Sequence, residues 1–189
     1  VKRASALALS LCALVGCSDN PAVPVDATSD VVLDAAADSP AEVDVAPEPD
    51  VPFVCTRRRG AVPWDGRCNG REALCGRAFD AVSYLTTHNA MSNATERFIA
   101  PNQTHPIARQ LRDGVRGLML DLHDDRGVVS LCHGVCSLGR RPLVEGLCAV
   151  GQHLDEDPGA VVTLILESYV PVAAMEPAFR EAGLLDDVH

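Results

Sequence analysis

VRGLMLDLHDDRGVVSLCH, residues 115–133, holds two apolar runs separated by only four residues. The first run, 115–123, is apolar almost throughout, the pattern of a strand buried on both faces. The second, 128–133, opens on two valines and ends in histidine. A crossover between parallel strands takes a dozen or more residues, usually a helix, so DDRG at 124–127 is too short to be one. The two runs therefore read as a hairpin about Arg126 and Gly127. That pairing brings Asp121 roughly opposite His133.

Around this hairpin the chain alternates strand and helix. Residues 81–87, AVSYLTT, form a strand candidate. Residues 105–114 place apolar side chains at 107, 108 and 111 and stop at Gly114, the signature of a short helix. Residues 142–159 put Leu143, Leu147, Val150 and Leu154 on one helical face, closed by Asp157, Pro158 and Gly159. A further strand follows at 160–170, AVVTLILESYV, and a helix at 171–185. Alternation of this kind argues an α/β class with a parallel sheet.

Each apolar run ends in groups unsuited to a core: His88 and Asn89, then Asp121 and His123, then His133, then Glu167. In parallel α/β folds the carboxyl ends of the strands share one face, where enzymes build their sites. Taken singly, each is a capping or solvated side chain. Taken together, two imidazoles suit general acid–base catalysis, because histidine exchanges protons near neutrality. Asp121 would orient one ring and stabilise its charged form. Phosphodiester cleavage fits this set, and charge on the phosphoryl oxygens then calls for a cation. His123, Arg116 or a metal held by Asn89, Asp121 and Glu167 are the candidates.

The charge of −10 is spread unevenly. Residues 18–52 hold nine acidic and no basic residues, leaving seventeen acidic against fourteen basic from Phe53 onward. The acidic balance thus describes a segment rather than a binding surface, and with few aromatics and no basic stripe nothing points to nucleic acid. Rich in Pro, Ala, Asp and Val, 18–52 buries too little to offset its ordering entropy and reads as a disordered tether. Before it, Lys2 and Arg3 precede an apolar stretch from Ala4 to Val15, too short to span a bilayer and typical of an export signal. Its end, LVGC at 14–17, resembles the lipobox of bacterial lipoproteins. That resemblance implies cleavage before Cys17, lipid on its sulfur, and anchoring in the cell envelope, with Ser18 favouring the outer membrane. A plain secretory signal is the alternative. The domains are thus 1–17, a signal; 18–52, a linker; and 53–189, a folded domain.

Six cysteines remain once Cys12 and Cys17 are set aside. An even count in an exported chain argues disulfides, with Cys132 pairing Cys136 and two of the three N-terminal cysteines pairing each other. Zinc at Cys132, His133 and Cys136 is the competing reading, but no second close pair completes such a site. The basic run RRRG, 57–60, reads as a solvated turn.

YLTTHNAMS (84–92), PNQTHPIARQLRDGVRGLMLDLHD (101–124), LCHG (131–134) and VVTLILESYV (161–170) resemble the X region of phosphatidylinositol-specific phospholipase C and its secreted relatives, over roughly 68–189. The resemblance implies a distorted (βα)8 barrel of the TIM type whose second and third strands are joined without a helix. It implies His88 as the base that deprotonates the inositol 2-hydroxyl and His133 as the acid for the diacylglycerol leaving group. Asp121 matches an aspartate of both the bacterial and the calcium-dependent branches, and Asn89 and Glu167 match two calcium ligands of the latter. Met119 stands where the calcium-dependent branch has a glutamate, and His123 where the metal-free branch has an arginine.

Such barrels run to about 250 residues, so the sequence is expected to represent an N-terminal half barrel cut short, with inactivity of the chain as given among the expectations. A glycerophosphodiester or sphingomyelin-type phosphodiesterase is a second expectation, and a non-catalytic module binding lipid headgroups a third. The partners expected are a phosphodiester lipid and the membrane that holds the anchor.

Overall fold

A computed structural model describes residues 53–188. The signal segment, Cys17 and the 18–52 linker lie outside the described residues.

The sheet is assembled on β2 (Gly117–Asp125). Along one edge runs β5 (Thr163–Ser168), parallel and in register from Gly117 beside Thr163 to Leu122 beside Ser168. Two strands share the other edge. β1 (Thr86–Thr87) pairs in parallel with Gly117 and Leu118, and β3 (Val128–Leu131) pairs antiparallel with 122–125. β4 (Arg141–Pro142) continues the sheet beyond β3. The expected class holds as α/β, but the sheet is mixed rather than parallel because the hairpin reverses β3.

Arg126 (φ 57°) and Gly127 (φ 86°) form a two-residue turn with both φ positive, the primed geometry that suits strand twist. Gly127 N–H donates to Asp124 Oδ1 at 3.0 Å, which ties the turn to its strand. The register pairs Asp125 with Val128, and Cys132 N–H donates to Asp121 O at 3.2 Å. His133 thus emerges one residue beyond the position facing Asp121, as the four-residue connection required.

Strand periodicity separates the two faces of β2. Leu118, Leu120 and Leu122 are fully buried and join Leu111, Leu131, Leu143 and Leu147 in one core. Those leucines come partly from the helices α2 (Ile107–Arg112) and α3 (Leu143–Glu156), with α4 (Val172–Glu181) adding Met175. The opposite face of β2 carries Gly117, Met119, Asp121 and His123. A Cβ at Gly117 would lie 2.2 Å from Thr86 Oγ1, so β1 reaches this edge only because residue 117 has no side chain.

The strand expected over 81–87 is cut to two residues. β2 begins only at Gly117, and Leu85 O already takes the N–H groups of Arg116 and Gly117 at 2.9 and 3.0 Å. Upstream of that point no strand edge is available, and Phe79–Ala81 winds into a single 3₁₀ turn.

Among the described residues three disulfides form: Cys68–Cys75, Cys132–Cys136 and Cys55–Cys148. The first two are the local pairings expected. The third spans 93 residues and binds the segment before α1 (Glu72–Cys75) to α3. Beside it, Arg57 corrects the reading of 57–60 as a solvated turn. Its guanidinium grips Asp155 through two bonds of 2.7 and 2.8 Å and donates to Gly183 O at 3.0 Å. Both side chains are close to fully buried. The guanidinium hydrogen bond holds the Asp155 carboxyl below its ordinary value, and the same bond raises Arg57.

His153, in the last turn of α3, is buried and its Nε2 has no partner. Burial chiefly holds this imidazole below its ordinary value of 6.5; Arg116 adds to the effect, and Asp157 and Glu156 oppose it. A histidine depressed in the folded state binds fewer protons folded than unfolded. Its neutral form therefore costs nothing above about pH 6.5, and stability falls as pH drops below that, until the folded group also titrates. His153→Leu is expected to flatten the urea midpoint between about pH 7 and pH 5. An unchanged slope would contradict this.

Candidate functional site

Three strand ends meet where the two partners of β2 hand over its edge. β1 stops at Thr87, and Ala90 N–H then docks on Met119 O at 2.9 Å. Between these points the chain turns outward, exposing His88 and burying Asn89. Asn89 takes φ 48°, a left-handed conformation that asparagine tolerates better than most residues. Its side-chain amide reaches Asn102 Oδ1 at 3.5 Å.

Gln110 holds this turn from below. Buried in α2, it accepts from the Thr87 hydroxyl at 2.7 Å and donates to Ala90 O at 2.8 Å and His105 O at 2.7 Å. Gln103 adds a bond of 2.7 Å to His88 O. Neither glutamine stood out in the sequence. The signal for Gln110 was a polar residue between the apolar positions 107 and 111 of a short helix.

Asp121 is buried on the polar face of β2, and the parallel register sets it beside Glu167 of β5. Burial first, and then the Glu167 charge, push the Asp121 carboxyl above its ordinary value. His133, His123 and His88 all pull it back down, so the three imidazoles and both carboxyls share one electrostatic site. His88 and His133 are exposed, whereas His123 stacks on Tyr169 with ring centres 4.4 Å apart and leaves its buried Nε2 unpartnered. The Tyr169 phenol donates to Glu167 Oε1, and this bond, with the Glu167 charge, holds the phenol pKa above its ordinary value. Tyr169 was not singled out from sequence, since its link to both residues needs the β5 register.

Arg116 is not brought to this cluster. It precedes Gly117, at the opposite end of β2, and its guanidinium is taken by Leu111 O, Val115 O and Asn69 Oδ1 at 2.8 to 2.9 Å. Arg116 lies five residues from Asp121, about 17 Å along the strand. Its role here is to clasp α2 and the Asn69 turn to the base of the sheet.

Asp121 and Glu167 set two carboxylates, both hard oxygen donors, side by side on adjacent strands, where their like charges repel. Met119 adds no hard donor, and among the described residues no group of three or more His, Cys, Asp or Glu is placed to hold a metal. Asp121→Asn, measured with a chelator at neutral pH, is expected to stabilise the fold by about 1 kcal/mol, the scale of a stability–activity trade-off. A lower melting midpoint in the variant would show instead that the carboxylate supports the fold.

A PI-PLC X domain-containing protein of Arabidopsis thaliana is 35% identical over 144 residues, covering 69% of this chain and 32% of the relative. A PI-PLC X domain-containing protein of Arthroderma benhamiae is 34% identical over 105 residues, 52% of this chain and 32% of the relative. An uncharacterized secreted protein of the same fungus is 30% identical over 125 residues, 65% of this chain and 28% of the relative. The chain thus spans about a third of the length of these relatives. No solved structure matches it. The PI-PLC X pattern covers residues 74–189, more than half of the sequence and every strand end described above, so the chain belongs to the PI-PLC X family.

Proposed function

We propose that this domain cleaves the phosphodiester of phosphatidylinositol-type lipids by two-histidine acid–base catalysis. The observation that carries the reading is the approach of two exposed imidazoles, His88 and His133, to the buried carboxyl of Asp121. His88 takes the proton of the inositol 2-hydroxyl, whose oxygen attacks phosphorus. His133 gives a proton to the departing diacylglycerol oxygen, so a cyclic inositol phosphate forms. Asp121 stabilises the charged imidazoles on either side. His123, fixed by its stack on Tyr169, adds positive potential from the sheet when protonated. Asn89, Asp121 and Glu167 would hold calcium, which when bound supplies positive charge to the phosphoryl oxygens.

In this reading the sheet is the N-terminal half of a distorted (βα)8 barrel with its polar face inward. Export is supported by the secreted fungal relative, and Cys17 would carry the lipid anchor. The test is incubation with phosphatidylinositol vesicles, followed by phosphorus NMR of the soluble products. A cyclic inositol phosphate is expected, with sphingomyelin and glycerophosphodiesters left intact. Binding of the vesicles without turnover would favour a headgroup-binding module and sink the enzymatic reading. Turnover undiminished by exhaustive chelation would remove calcium from it.

A further inference from the structure

The candidate acid His133 sits inside a covalent ring. Cys132 and Cys136, bonded to each other, bracket His133, Gly134 and Val135. One end of the ring is fixed to the sheet: Cys132 is fully buried and its N–H donates to Asp121 O. The other end is fixed to a loop, since Cys136 opens the 3₁₀ turn Cys136–Leu138, whose Leu138 O accepts from Ile99 N–H at 2.7 Å. His133 itself is exposed, and its carbonyl accepts only a local bond, from Val135 N–H at 3.0 Å. Among the described residues no hydrogen bond ties its imidazole down. The ring is therefore the main constraint on where that imidazole points relative to Asp121.

A bridge closing so short a loop removes much less chain entropy than one closing a long loop. Its position around a candidate catalytic residue is thus better explained by geometry than by stability. We propose that the Cys132–Cys136 disulfide is a positioning element that holds His133 in its working orientation. The domain is consequently most active in its oxidised form. Two-electron reduction by a dithiol returns both cysteines as thiols, converts the reductant to its own disulfide, and releases the loop. The accessible sulfur is that of Cys136, which is half-buried, whereas Cys132 lies in the core.

This inference rests on the proposed two-histidine mechanism, and its test separates the two. The full chain is compared with Cys136→Ser and with the double variant Cys132→Ala/Cys136→Ala. The control is Cys68→Ser/Cys75→Ser, which removes another short-loop disulfide lying away from the site. With phosphatidylinositol vesicles, both site variants are expected to lose roughly 10- to 100-fold in kcat, the size of a misplaced catalytic group. KM should stay within about twofold, and the control should keep wild-type kcat. Equal kcat in the site variants and the control would overturn the proposal.

The second readout needs no turnover. The His133 ring resonances, identified by their absence in His133→Gln, should be single and dispersed in the oxidised protein. In Cys136→Ser they should move toward the averaged shifts of a free histidine. If they do not move, the disulfide does not position the ring, whatever the activity.

Discussion

Removing the Cys55–Cys148 bridge, as Cys55→Ser/Cys148→Ser, is expected to cost ~4–5 kcal/mol of unfolding free energy. The figure follows from the 93 residues between the two sulfurs, which the cross-link constrains in the unfolded chain. By the same account the short bridges at 68–75 and 132–136 are each worth about half as much. Calorimetry would show the loss as a fall in the melting midpoint of roughly 15 °C for a domain this size. The effect should also be coupled to Arg57. Cys55 and Arg57 lie on one segment, and with the bridge gone that segment is held on α3 chiefly by the Arg57–Asp155 pair and by Gln152 Nε2 on Thr56 O. Breaking a buried pair from one side leaves an uncompensated charge and costs about 3–5 kcal/mol. In the bridgeless protein the segment can leave with its charge, so Arg57→Ala should cost much less there. A double-mutant cycle that came out additive would mean that bridge and ion pair act independently.

The second large effect is on turnover. His88→Ala and His133→Ala should each lower kcat on phosphatidylinositol by about 10² to 10⁴-fold, the usual contribution of a positioned acid or base. KM should change little, because neither imidazole is buried and neither supports the fold. The two losses should not multiply in the double variant, since base and acid act in one step. Wild-type turnover in either single variant would end the two-histidine mechanism. His123→Ala has a different expectation: its ring packs on Tyr169, so part of its effect should appear as lost stability.

Much of this site was legible because strand ends announce themselves. An apolar run that stops at a histidine or a carboxylate, as at His88, His133 and Glu167, locates a polar group near the carboxyl end of a strand, whereas Asp121 proves to be mid-strand in β2, close to where its parallel pairing with β5 stops. The hairpin was legible as well, because four residues cannot hold a crossover and Arg126–Gly127 suits a tight turn. Arg116 shows the limit of such reasoning. Sequence places it five residues before Asp121, yet a strand carries those five residues from one end of the sheet to the other. Gln110, Tyr169 and Arg57 were missed for a related reason. Each acts through partners distant in sequence or set by strand register: Ala90 for Gln110, His123 for Tyr169, and Asp155 for Arg57.

Composition and local pattern alone were enough to determine the α/β class, the hairpin, the short-range disulfide at Cys132–Cys136 and the identity of the polar groups at the strand ends. These are matters of spacing, and spacing is written along the chain. Tertiary structure decided that β1 is only two residues long, that Cys55 pairs with Cys148, and that Asp121 is caught between Glu167 and three imidazoles. Those outcomes depend on which edge of β2 each segment reaches and in what register. A parallel register is set by packing of the whole sheet against its helices, and no local stretch of sequence contains it.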